Sequence, residues 1–159
     1  MCIRDRRATD DPEIIRVVHD SRMVEPGDLF CCIRGARHDG HDHVATAEKA
    51  GAVAVLAAQP VACRLPTVVV ASVRETMPYF ASEVVGNPSH HVKVVGVTGT
   101  NGKTSVTSML AEVLQTLGWE SRTIGTLSGE RTTPEAPEFQ RSLADWVVDG
   151  VECVAAEVS

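Results

Sequence analysis

The sequence predicts an α/β protein: a small amino-terminal α/β domain, then part of a phosphate-loop domain with a doubly wound parallel sheet. Three observations carry that expectation. Short β-branched runs alternate with stretches whose apolar residues recur at helical spacing, the pattern of strands joined by helical crossovers. A glycine-rich stretch, Gly96-Val97-Thr98-Gly99-Thr100-Asn101-Gly102-Lys103-Thr104-Ser105, lies between one such run and one such helix. The turn-rich segment Gly86-Asn87-Pro88-Ser89 divides the chain into a part over residues 14–87 and a part over residues 88–159.

Residues 1–13 show no periodicity and are expected to be an unstructured lead or a sequencing scar. Residues 14–18 are a short β-branched run and predict a strand. Pro26-Gly27 is a turn, residues 28–33 predict a second strand, and residues 35–40 a loop. Residues 41–50 read as a short helix, with Asp42 as a cap and Gly51 as its stop. Residues 53–57 and 67–70 read as buried strands, separated by a loop that holds Pro60 and Pro66. Ser72 and Glu75 have the spacing of a capping box. The helix they open carries Val73, Met77, Phe80, Ala81 and Val84 on one face, although Pro78 removes a hydrogen bond and argues against its continuity.

In the second part, residues 92–97 predict a strand. Val106, Met109, Leu110, Val113, Leu114 and Leu117 share one face of the helix that follows, and Gly118 stands where it should stop. A strand lies within residues 120–127, followed by a polar loop over residues 128–134. Pro137 suits the first turn of a last helix, whose apolar face is Phe139, Leu143, Trp146 and Val147 and which Gly150 ends. Residues 151–158 are apolar on both faces, as a central parallel strand should be.

The chain's 159 residues suffice for one ordinary domain, or for a small domain plus part of another. Its formal net charge of −6 argues against a general nucleic-acid binder. No apolar run approaches the length that crosses a bilayer, and the start lacks the apolar core of a secretory signal, so a cytoplasmic location and no membrane insertion are expected. Cys2, Cys31, Cys32, Cys63 and Cys153 are odd in number and include no Cys-x-x-Cys, which predicts reduced thiols.

The glycine-rich stretch carries the chemistry. Backbone N–H groups of such a loop, backed by a helix N-terminus, form an anion site. Lys103 is placed to reach the outer phosphates of a nucleotide and Thr104 to face Mg²⁺. The usual pattern has a further glycine where this chain has Val97. In parallel sheets ligands gather beyond the carboxyl ends of the strands, which puts Glu157 and Ser159 on the edge of the phosphate loop and gives Glu157 a Mg²⁺-linked role. The bland alternatives are a glycine turn without a ligand, a solvent-exposed Glu157, and, for His38-Asp39-Gly40-His41-Asp42-His43, turn and cap chemistry in place of a metal site.

Gly99-Thr100-Asn101-Gly102-Lys103-Thr104 together with Glu157-Val158-Ser159 resembles the ATP-dependent Mur ligases of bacterial cell-wall synthesis. Asp20-Ser21-Arg22, Pro26-Gly27-Asp28-Leu29-Phe30, Asp39-Gly40-His41 and Thr132-Thr133-Pro134-Glu135 are similar to the type E members, and the resemblance covers residues 14–159. It implies that a substrate carboxylate takes the γ-phosphate of ATP as an acyl phosphate, from which an amino acid's amine displaces phosphate. The implied acceptor is a UDP-N-acetylmuramoyl-dipeptide, and the added residue meso-diaminopimelate in preference to L-lysine. The implied catalytic residues are Lys103, Thr104 and Glu157, with Gly99, Thr100, Asn101, Gly102, Lys103, Thr104 and Ser105 on ATP and Thr104 and Glu157 on Mg²⁺. Ser21, Ala36, Arg37 and His38 are implied on the uridine nucleotide, and Thr132, Thr133 and Ser159 on the muramoyl-dipeptide. The family's carbamylated lysine and carboxyl-terminal domain would lie beyond Ser159, so the expectation is the first part of a longer, monomeric enzyme, inactive as it stands. Two alternatives stay open: a non-catalytic nucleotide-binding module, and a ligase like folylpolyglutamate synthase, which has glycine where this chain has Thr104.

Overall fold

The protein is described by a computed structural model, which covers residues 12–35, 38–126 and 132–159. The predicted lead over residues 1–13, but for its last two residues, and Cys2 lie outside the described residues. The chain divides into two compact units, one ending at Val84 and one spanning Val85–Ser159.

The first unit is a four-stranded parallel sheet whose spatial order follows the chain: β1 (Arg16–Val18), β2 (Asp28–Cys31), β3 (Ala54–Ala57) and β4 (Thr67–Val69). Val17 pairs with Leu29, Phe30 with Val55, and Leu56 with Val68. Every residue of β2 and β3 is buried, as strands covered on both faces require. Phe30, Cys32, Val55 and Ala57 pack with Val44 and Ala47 of α1 (Val44–Ala50). A 3-10 turn, Gly40–His43, leads into α1, and its cap is Asp39, whose carboxylate accepts from the His41 amide. Asp42 is therefore not the cap. Asp39 has the extended backbone that a capping side chain needs, and Asp42 already lies inside the turn. Gly51 ends α1 at φ 107°, and a Cβ there would lie 2.9 Å from the Pro26 Cα, so geometry and space both require glycine.

Helix α2 (Val73–Val84) opens where the Ser72 hydroxyl accepts from the Glu75 amide. It runs without a break through Pro78. An interior proline costs about 3 kcal/mol. Burial of Val73, Met77 and Ala81 on one stripe offsets that, since each large apolar side chain contributes about 1.5–3 kcal/mol.

The second unit is a three-stranded parallel sheet in the order β5-β7-β6, from β5 (Lys93–Val97), β6 (Ser121–Ile124) and β7 (Cys153–Glu157). β7 is central and buried along its whole length. Helix α4 (Ala136–Val148) buries Leu143 against Val92, Ile124, Val151, Val154 and Ala156, with Phe139, Trp146 and Val147 packed around them. Helix α3 (Lys103–Thr116) behaves otherwise than its apolar periodicity suggests. It buries Thr107 and Ala111, while Val106, Met109, Val113 and Leu117 are 50–69% exposed. The Ser121 hydroxyl donates to the Ala111 carbonyl, so the small-residue side of α3 lies against β6. Among the described residues nothing covers the bulky side.

Cys31, Cys32 and Cys153 are buried and Cys63 partly so, all as free thiols. Burial pushes the Cys32 thiol up to about 12 and the Cys31 thiol further still, which leaves both protonated and unreactive. Among the described residues no helix is long and apolar enough to cross a membrane.

One buried charge anchors the first sheet. Asp28, 1% exposed, takes a two-pronged pair from Arg16 across the β1–β2 register, Nε to Oδ1 at 2.9 Å and Nη2 to Oδ2 at 2.7 Å, and accepts from the Glu25 amide. The Arg16 pKa is raised, first by that hydrogen bond to Asp28. Breaking a fully buried ion pair costs about 3–5 kcal/mol. Arg16 keeps some solvent contact, so Asp28→Ala should cost about 2–3 kcal/mol, read as an earlier urea transition of the first unit. An unshifted transition would show that the pair contributes nothing net.

Candidate functional site

The site is built at the carboxyl edge of the second sheet. β5 ends at Val97, and the chain turns through Gly99 at φ 144° and Gly102 at φ 79°, both in the region that favours glycine. Lys103 is the first residue of α3, and its Nζ curls back to donate to the Gly99 carbonyl at 2.8 Å. Gly99, Thr100, Asn101, Gly102 and Ser105 are exposed, and Lys103 and Thr104 partly so. A Cβ on Gly102 would meet nothing within 4 Å, so its backbone is open to a ligand. No acidic residue occupies the first turn of α3, which leaves the positive end of its dipole uncompensated from within the helix. A loop of free amides, an ammonium and a helix N-terminus can take a polyphosphate.

Glu157 is the last residue of β7 and pairs with Val97, the last of β5. That register delivers its carboxylate to the foot of the loop. It is 2% exposed and accepts from three neutral donors: Thr104 Oγ1 at 3.1 Å, the Thr126 amide at 3.1 Å and Thr126 Oγ1 at 3.2 Å. Among the described residues it forms no ion pair. Gly125 leaves the space for it, since a Cβ there would stand 2.2 Å from Oε1. A buried carboxylate without a cation is costly unless something neutralises it. One carboxylate and one hydroxyl beside a phosphate cradle suit Mg²⁺, which takes few protein ligands and completes its shell with phosphate oxygens and water. No cluster of three or more His, Cys, Asp or Glu that could cage a metal occurs among the described residues.

Thr133 ties the loop before α4 to the same strand end. Its hydroxyl donates to the Glu157 carbonyl at 2.9 Å and accepts from the Ser159 amide at 3.0 Å, with Ser159 Oγ at 3.1 Å. Thr132 Oγ1 lies 3.3 Å from Thr126 Oγ1. Thus Thr104, Glu157, Thr132, Thr133 and Ser159, distant in sequence, meet at one edge. The sequence reading passed over Gly125 and Thr126. Their signal was available: a Gly-Thr pair at the carboxyl end of a predicted parallel strand.

The other predicted positions lie in the first unit. Ser21 is half-buried in the turn after β1, between Asp20 and Arg22. Asp20 accepts from the Arg22 amide at 3.0 Å and from its guanidinium, and that side-chain hydrogen bond first of all lowers the Asp20 carboxyl to about 2. His38 is exposed, and its carbonyl accepts from the Gly35 amide. Ala36 and Arg37 lie outside the described residues. Arg34 pairs with Asp39, Asp39 bonds His41 Nδ1, and His41 Nε2 accepts from the Ala58 amide. Both ring nitrogens of His41 are occupied, so it is no free metal ligand. The Asp39 carboxyl is held well below the usual range, by His41 before Arg34.

Family models and known proteins match the chain over both units. The family described as "Mur ligase family, catalytic domain" matches residues 13–97, and "Mur ligase middle domain" matches residues 97–159. A UDP-N-acetylmuramoyl-L-alanyl-D-glutamate–2,6-diaminopimelate ligase of Geobacillus thermodenitrificans is 40% identical over 94% of this chain and 32% of its own length. The protein of that name from Aquifex aeolicus is 36% identical over 88% of this chain and 31% of its own. A solved structure of a ligase with that name superposes with a TM-score of 0.78 at 24% identity, over 92% of this chain and 32% of that one. The MurF ligase from Thermotoga maritima, solved in complex with ADP, gives 0.67 at 26% identity, over 94% and 33%. The chain spans about a third of the length of the curated relatives it matches. With one family profile covering more than half of it and a second taking up where the first ends, the chain belongs to the Mur ligase family.

Proposed function

We propose that the chain supplies the uridine-nucleotide region, over residues 14–87, and the phosphate-loop part, over residues 88–159, of a cytoplasmic ATP-dependent ligase of peptidoglycan precursor synthesis. The reaction we assign joins a diamino acid, meso-diaminopimelate, to UDP-N-acetylmuramoyl-L-alanyl-D-glutamate. The relatives' names and the Thr132-Thr133-Pro134-Glu135 segment support that substrate pair. One observation carries the reading. The Thr104 hydroxyl and the Glu157 carboxylate, 53 residues apart in sequence, are hydrogen-bonded at the mouth of the phosphate loop.

Each residue then has a physical task. The amides from Gly99 to Ser105 cradle the phosphates, and Lys103, leaving the Gly99 carbonyl, neutralises charge on the outermost one. Thr104 and Glu157 would hold Mg²⁺, which when bound would offset phosphate charge. Thr132, Thr133 and Ser159 would present the muramoyl-dipeptide, so that its carboxylate meets the terminal phosphoryl group. That carboxylate takes the phosphoryl group from ATP and releases ADP. The amine then forms the amide bond and releases phosphate. Ser21 and His38 would hold the uridine nucleotide, with Ala36 and Arg37 between them in sequence. No residue of this chain is assigned to the incoming amino acid.

Two measurements test the assignment. Among the described residues the Lys103 ammonium bonds a backbone carbonyl, that of Gly99, so Lys103→Ala should leave the unfolding transition in place. It should weaken ATP binding by about ten- to a hundredfold in calorimetry, as loss of a charge-assisted hydrogen bond does. Unchanged affinity would remove Lys103 from the site. The 159-residue chain should also bind UDP-N-acetylmuramoyl-dipeptide without ATP, and no heat at millimolar ligand would overturn the acceptor assignment.

A further inference from the structure

Glu157 is aimed by residues that the phosphate-loop pattern does not include. Gly125 and Thr126 directly follow β6, which pairs with β7. Gly125 forms the floor of a notch. A Cβ there would lie 2.2 Å from Oε1, 2.5 Å from Cδ and 2.6 Å from Cγ of Glu157, and no rigid backbone atom can share that space. Thr126 forms the clasp, with its amide on Oε1 and its hydroxyl on Oε2. A threonine hydroxyl has one proton. If Thr126 donates it to Glu157, then the 3.3 Å contact to Thr132 has Thr132 as donor, which makes a directed chain from Thr132 through Thr126 to Glu157.

We propose that Thr126, seated by Gly125, is a positioning residue that holds the Glu157 carboxylate for a divalent cation and links it to Thr132, before α4. The inference rests on the metal reading of Thr104 and Glu157. The Thr104 hydroxyl shares Oε2 in this structure, and it must turn its oxygen lone pairs to a cation that Glu157 also contacts. The two bonds from Thr126 are then what keeps the carboxylate in register. Outer contacts of this kind change metal affinity by about ten- to a hundredfold when removed.

The test uses the 159-residue chain with ADP and Mn²⁺ as probes, counting free Mn²⁺ by its electron paramagnetic resonance signal and measuring ADP affinity with and without the metal. The quantity read is the factor by which Mn²⁺ tightens ADP binding. Thr126→Val and Thr126→Ala should each lower that factor about tenfold or more, and Thr126→Ser, which restores the hydroxyl, should keep it. Gly125→Ala should lower it as well, by pushing the carboxylate out of its notch. A role confined to folding would weaken both affinities together and leave the factor unmoved, which would overturn the proposal. If Glu157→Gln abolishes the factor and Thr126→Val does not change it, the metal reading stands and the role of Thr126 falls. If the wild-type chain shows no tightening by Mn²⁺, the metal reading falls and this inference with it.

Discussion

The contact between Thr104 and Glu157 fixes more than two side chains. α3 begins at Lys103, so turning Thr104 toward the strand end sets the rotation of the whole helix about its axis. Residues three and seven positions further on lie on the same stripe. They are Thr107 and Ala111, the two buried residues of α3. Both are small enough for the helix to lie close on its sheet, and Thr107 satisfies its hydroxyl on the carbonyls of Lys103 and Thr104. Val106, Met109 and Val113 are then directed the other way. The rotation that keeps the Thr104 hydroxyl on the Glu157 carboxylate is thus the one that buries the small side chains of α3 and exposes its bulkiest ones.

This explains what was legible in the sequence and what was not. Strands and helices were readable because each carries its own local signal: β-branched runs in β1, β4 and β5, short apolar runs in β2, β3 and β7, the Ser72 cap of α2, Gly51 after α1 and Gly150 after α4. The inward face of α3 was not, because apolar periodicity reports which residues share a face and not which way that face turns. Pro78 misled for the reason opposite to a missing signal. A strong local breaker was outweighed by burial that only the tertiary structure supplies. Thr104 and Glu157 were readable through loop spacing and the strand-end rule. Gly125 and Thr126 carried the same strand-end signal, but which side chain they meet depends on the register of β6 beside β7, which no local pattern encodes.

The first unit shows how a motif can mark scaffolding. Asp20, Asp28 and Asp39 all belong to segments that resemble the family, and each spends its carboxylate on its own surroundings. Asp20 closes a turn on Arg22, Asp28 pairs β1 to β2 through Arg16, and Asp39 caps a turn and holds His41. A short carboxylate accepts several backbone and guanidinium donors at once, which is why it recurs where loops must keep a shape. His41 extends the bracing to the end of β3 through the Ala58 amide. Ser21 lies between Asp20 and Arg22 in the first of these turns, and His38 directly precedes Asp39.

The electrostatics of the second unit then follow from local charge. A net charge of −6 spread over the surface is screened beyond about 8–10 Å at physiological salt, so it does not decide whether a phosphate can settle on one loop. The helix N-terminus and Lys103 favour it, and the buried Glu157 opposes it. A lone anion at the foot of an anion site is unfavourable unless a cation lies between the two, and burial strengthens that demand by removing the water that would screen it. On the proposed reading, the same carboxylate that looks misplaced beside a phosphate cradle would make nucleotide and divalent cation bind as a unit, each supplying the charge the other needs.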